Sequence, residues 1–207
     1  MNRRIAAAPM FAITLVALAV AIALAGCSPA TRTSTSGPPQ PSSARAVADQ
    51  VIAAIKGQDG VALSALVHPT KGVRFSPYAF VDLKKDVVLT GADIATFWDS
   101  NKVYTWGKAD GTGDPIKMTP TQYASRYVFD VDFSTATSVS ENADKANGNT
   151  ANNAAEAYPD DTRIEYYVAG SPVGGQPGND WKALRLVFEK VGDTWYLVGI
   201  IHDEWTM

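Results

Sequence analysis

Side chains able to do chemistry are few and widely spaced in this chain. Cys27 is the single cysteine among 207 residues and closes an apolar run with Leu24-Ala25-Gly26. Its thiol is the one soft nucleophile available. His68 and His202 are the only histidines, so neutral-pH proton transfer through imidazole rests on these two. His68 opens the stretch His-Pro-x-x-Gly-x-Arg-Phe-Ser-Pro-Tyr, residues 68–78. There Arg74 offers a planar fork for a carboxylate or phosphate, and Tyr78 an apolar ring with a polar tip. Glu165 stands beside Tyr166 and Tyr167 on a β-rich segment, and His202 begins the closing His-Asp-Glu-Trp-Thr-Met. His68, Arg74, Tyr78, Glu165 and His202 are therefore the candidate ligand-binding residues.

Other constellations read more simply as structure. A histidine ending a helix bonds free carbonyls and is favoured by the helix dipole, which is the plain alternative for His68. Asp203 alternates to the strand face opposite His202, so the two need not touch. Asp110-Gly-Thr-Gly-Asp114 lacks the ligand set of a calcium loop and reads as a turn between a strand and a helix. Asp130 and Asp132 share one face of an expected strand at residues 129–133 and read as its exposed side. Trp106, Trp181, Trp195 and Trp205 read as core. No metal-ligand spacing links the histidines, and no metal is expected. The chain has no Gly-x-Ser-x-Gly elbow, His-Glu-x-x-His, phosphate loop or dinucleotide fingerprint, so no catalytic motif and no cofactor is expected.

The elements that must position these residues follow from periodicity. Val47, Val51 and Ile55 recur on one face of a helix over residues 44–56, which Gly57 ends. A second helix is expected at 61–67, stopped by Pro69. Residues 73–81 read as extended, broken at Pro77. Thr90 caps a third helix at 91–98, with Ile94, Phe97 and Trp98 inward. A short strand follows at 102–106, then Thr119-Pro120 opens a helix to about residue 127. Residues 141–161 hold five asparagines and no apolar rhythm and read as a long polar loop. Strand returns at 162–169. The runs 181–191 and 194–201 flank Gly192-Asp193 as a tight hairpin, apolar on both faces and so central and covered.

The chain opens with Asn2-Arg3-Arg4, continues with the apolar run from Ile5 to Gly26, and stops at Leu-Ala-Gly-Cys. Basic head, apolar core and small residues are the parts of an export signal. The last four residues resemble the lipobox of bacterial lipoproteins. That resemblance covers the first 27 residues. It implies that residues 1–26 are a signal peptide and that Cys27 carries a diacylglycerol on its sulfur and becomes the mature first residue. It also implies a location on the cell membrane or outer membrane, with the domain exported. Residues 28–43 contain twelve Ser, Thr or Pro in sixteen and read as a solvated spacer of about 20–25 Å. Loss of Arg3 and Arg4 leaves 16 basic against 21 acidic side chains, a net of −5. An acidic body is no nucleic-acid binder, and anionic lipid repels it, so the tether is expected to hold the membrane.

Residues 44–207 then form a single α+β domain: N-terminal helices packed on a curved, mostly antiparallel sheet ending in a long β-hairpin. This order resembles the NTF2-like, or cystatin-like, cone, although the helix at 119–127 and the Asn-rich loop depart from that pattern. The favoured function is a non-enzymatic, lipid-anchored envelope protein binding a small ligand, a wall component or a protein partner. The alternative is an NTF2-like enzyme of the isomerase or dehydratase kind. It requires a deep apolar cavity holding Asp82, Glu165 or His202. A purely structural or partner-stabilising lipoprotein would instead show an exposed apolar patch in place of a cavity.

Overall fold

The computed structural model describes residues 43–146, 148–173 and 178–206. The expected signal peptide, Cys27 and the spacer up to residue 42 lie outside the described residues. Among the described residues no helix is long and apolar enough to cross a membrane.

The first helix, α1, spans Ala44–Lys56 and forms as expected: Ser43 Oγ accepts from the Ala46 N–H, and Val47, Ala48, Val51, Ile52 and Ile55 are buried on one face. The second, α2, is only Gly60–Ser64, not 61–67. Its chain leaves the helix because the backbone finds partners in the sheet. Leu197 N–H donates to Leu66 O at 2.7 Å, and His68 N–H donates to Leu197 O at 3.0 Å. Strand β1, Val73–Ser76, stops before Pro77, so the extended reading to residue 81 was too long. Then come β2 (Val87–Leu89), α3 (Gly91–Ala95), β3 (Tyr104–Lys108), β4 (Pro115–Met118) and α4 (Pro120–Tyr127). Capping boxes start α3, from Thr90 and Asp93, and α4, from Thr119 and Gln122. The rest are β5 (Ser138–Glu141), α5 (Ala154–Ala157), β6 (Thr162–Val168), β7 (Lys182–Val191) and β8 (Thr194–Glu204).

Two expectations fail here for local reasons. Residues 129–133 form no strand: Asp132 caps a 3-10 turn at Phe133–Thr135 by accepting from the Ser134 N–H, which bends the backbone out of extension. The 110–114 turn joins β3 to β4 as a hairpin, not a strand to a helix, with Gly111 and Gly113 at positive φ.

The main sheet runs β2-β1-β8-β7-β6-β5 and is open at both edges. All its pairs are antiparallel except β1 with β8. The β7–β8 hairpin sits in its middle, as the two-sided apolar pattern implies. Its turn places Gly192 at φ +60°, where a side chain would be strained. On one sheet face Ile164, Tyr166, Leu184, Leu186 and Ile200 pack into the main core with α1. That core is filled by aromatic rings. Trp106 stacks on Tyr123 with centroids 4.0 Å apart, Phe75 stacks on Phe97 at 5.6 Å, and the Trp106 indole donates to Met118 O.

The opposite face, with Ala183, Val187, Val198 and Ile201, is covered by Ala146, Ala154, Ala157 and Tyr158. These belong to the Asn-rich segment. It is not a bare loop, since it carries α5 and is pinned to the body. Asn153 holds both backbone groups of Val81, and Asn149 bonds Thr206.

Candidate functional site

The helix-side face gathers polar groups at the end of β8. His202 is fully buried, and its Nε2 lies 3.2 Å from Asp130 Oδ2. Asp130 arrives from the turn after α4, which is why a strand reading of 129–133 missed it. One turn earlier on α4, the Tyr127 ring meets the imidazole edge-on at 5.8 Å. The Tyr127 hydroxyl lies 3.4 Å from that of Tyr78, which also accepts from the Asp110 N–H. Glu204 continues the same face two residues beyond His202. It is paired with Arg126 Nη2 at 2.5 Å and with Lys182, whose Nζ also stands 3.6 Å from Asp130.

These charges set the protonation states. Burial works to raise the Asp130 carboxyl, but the hydrogen bond and charge of His202, with Lys182, hold it below its ordinary value. Burial likewise opposes ionisation of Glu204, and Arg126 and Lys182 overcome it. Tyr127 is pushed well up, by burial first and then by its bond to Tyr78, so it remains a neutral donor. Asp130, His202 and Glu204 bring donor atoms within 4.8 Å of one another. That set suits a borderline metal, yet the Lys182 ammonium already sits against both carboxylates. Chemically the arrangement is an imidazole with an ionised carboxylate behind it, able to hold a proton at Nε2.

The other candidates lie elsewhere. Glu165 lies on the opposite sheet face from α1, the face that the segment carrying α5 covers. It is buried beside Arg185, whose Nε donates to it at 2.9 Å, and it accepts from the Lys145 and Ala146 N–H groups. Arg185 is fully buried, also binds Asp203 at 2.8 Å, and lies 3.5 Å from Asp144. Burial outweighs the guanidinium at both Glu165 and Asp203, and each carboxyl is raised. Asp203 does face opposite to His202, as alternation requires.

His68 bonds no helix carbonyl. Its Nδ1 accepts from the Thr70 and Lys71 N–H groups, which leaves the proton on Nε2, 3.7 Å from Glu189. Arg74 spends its guanidinium on the carbonyls of Asp82 and Asp86, each at 3.4 Å. It lines a small cleft of about 120 Å³ with Lys71, Tyr158, Asp161 and Glu189. The five candidates thus divide: Tyr78 with His202, His68 and Arg74 toward Glu189, and Glu165 alone on the far face. Asp82 lies on a surface loop, so Asp82, Glu165 and His202 do not share a cavity. Trp106 and Trp181 are buried as expected, whereas Trp205 is exposed.

Sequence reasoning missed Arg126, Asp130, Lys182, Glu204 and Arg185 as site members. A signal existed for Arg185: a lone arginine inside a strand apolar on both faces must be met by acids on the neighbouring strands. Glu165 and Ile201 are its cross-strand neighbours, and Asp203 lies two residues on from Ile201.

No protein-family model matches the chain, and no curated protein matches it. Among solved structures, a substituted form of a protein named Rd1NTF2_05 is similar, at 14% identity. The match covers 77% of this chain and 95% of that one, with a TM-score of 0.30. So loose an overlap transfers no residue role.

Proposed function

We propose that this protein is a lipid-anchored cell-envelope protein whose exported domain works by binding a small ligand, a wall component or a protein partner, not by turnover. The lipid reading rests on Leu24-Ala25-Gly26-Cys27. The preference for binding at the surface over turnover in a cavity rests on one observation: the space beneath the helices is occupied by Phe75, Phe97, Trp106 and Tyr123. An enzyme of the cone type needs that volume for substrate. The larger hollows described are open grooves: two flank α1, of about 480 and 380 Å³, and one of about 380 Å³ lies beside Phe80, Leu83 and Ala157.

Intact-mass measurement of the protein purified from bacterial membranes tests the anchor. The expected product starts at Cys27 and carries acyl mass, and Cys27→Ser abolishes it. A product that retains Met1 without lipid mass overturns the reading. For the binding half, thermal shift against wall fragments and envelope ligands should raise Tm without turnover.

The enzyme alternative draws on the His202–Asp130 pair alone. Turnover of a small carbonyl compound that Asp130→Asn and His202→Gln both abolish would favour it.

A further inference from the structure

The connection from β1 to β2 presents apolar side chains outward on a backbone that is tied down from within. Ser76 Oγ and the Asp82 N–H both donate to Asp86 Oδ2, at 2.5 and 3.0 Å. The Lys84 and Lys85 N–H groups donate to Asp82 Oδ1. Arg74 holds two of the loop's carbonyls, and Asn153 clamps Val81 on both sides. Ala79 and Val81 point into the body. Phe80, Leu83 and, on β2, Val88 remain 49%, 54% and 43% exposed. They are contiguous, because Leu83 lines the Arg74 cleft beside Val88 and also a second groove beside Phe80, Lys84 and Ala157. A loop this well bonded does not expose large apolar groups through slack. It holds them out.

We propose that this loop is a membrane contact: Phe80 and Leu83 enter the headgroup boundary of an anionic leaflet, while Lys84 and Lys85 meet lipid phosphates. The inference rests on the lipid-anchor reading, which keeps the domain within a sixteen-residue spacer of the bilayer. Tethering raises the population of a contact that the loop already makes with the bilayer by itself. Charge selects the occupant. A second copy docked on this patch sets its own Lys84 and Lys85 against the same pair, whereas an anionic leaflet opposes them with negative charge. Asp82 screens Lys85 at 3.2 Å, and Glu156 lines the groove, so the attraction is local and modest within an acidic body.

Vesicle flotation tests this. The described core lies wholly between Ala44 and Ile201, so a fragment of residues 38–207 keeps it and can be used without lipid. This fragment should associate with phosphatidylglycerol vesicles and far less with phosphatidylcholine vesicles. Phe80→Ser with Leu83→Ser, and separately Lys84→Glu with Lys85→Glu, should each lower the bound fraction about tenfold. Unchanged melting temperatures show that both double variants fold. No association with phosphatidylglycerol, or association that both variants retain, overturns the proposal. So does a dimer in sedimentation velocity that Phe80→Ser with Leu83→Ser dissolves, which makes the patch a contact between copies. The fragment lacks Cys27, so its failure is separate from failure of the lipidation reading, which intact mass decides.

Discussion

The two faces of the β7–β8 hairpin solve the same electrostatic problem with opposite stoichiometry. On the outer face one guanidinium, Arg185, serves Glu165, Asp203 and, more distantly, Asp144. On the helix face two cations, Lys182 and Arg126, serve Asp130 and Glu204, with His202 beside them. The carboxyls respond accordingly. Those short of positive charge are raised, and those with enough are lowered, although all four are largely buried. Burial alone therefore does not set a carboxyl's state; the local ratio of cations to acids does. The first arrangement is a strut with no spare part. The second is redundant, and its Arg126 side chain is 43% exposed.

Removing the strut should have the largest effect. Arg185→Met leaves two buried carboxylates without their cation, and urea denaturation should show a loss of about 3–5 kcal/mol. Adding Glu165→Gln and Asp203→Asn should recover much of it. A loss below about 1 kcal/mol would break the comparison.

The pH dependence on the two faces should run in opposite directions. Glu165 and Asp203 have folded values above their ordinary 4.5 and 3.8, so the stability they contribute is present in acid and is lost as pH rises through those folded values. Asp130 and Glu204 have folded values below their ordinary 3.8 and 4.5. Their contribution is present at neutral pH and is lost as pH falls through those lower values. Stability measured from pH 3 to 7 should thus show a shallower acid-side fall in Asp130→Asn with Glu204→Gln, the remainder coming from Asp82, Asp93 and Asp132, which are also lowered, and a steeper fall in Glu165→Gln. His202→Ala, which removes the partner of Asp130, should cost about 1–3 kcal/mol at neutral pH.

Much of the scaffold behind this contrast was legible in sequence, because local chemistry specified it. Thr119-Pro120 with Gln122 fixes α4, and the apolar pattern around Gly192-Asp193 fixes the central hairpin. The charge clusters were not legible, since each joins residues distant in the chain. Asp130 reaches His202 across 72 positions. Its own segment reads as a strand until Asp132 turns it. β5 also escaped: Ser138-Val139-Ser140-Glu141 has one apolar residue, and its strand character comes from register with β6. The Asn-rich segment reads as loop by composition, yet its amides act as clamps, which composition does not reveal.

The smallest effect sharpens the idea of redundancy. Arg126 is 43% exposed at its side chain, and Glu204 keeps Lys182 when it is gone. Arg126→Ala should therefore cost less than about 1 kcal/mol, within the range of solvent-screened pairs. Lys182→Met should cost more, because that ammonium serves Asp130 as well as Glu204. The double variant should lose clearly more than the two single losses together, since only then is Glu204 buried without a cation. Simple additivity, read by a double-mutant cycle in urea, would mean that the two cations do not substitute for each other, and that this face is as unforgiving as the one built on Arg185.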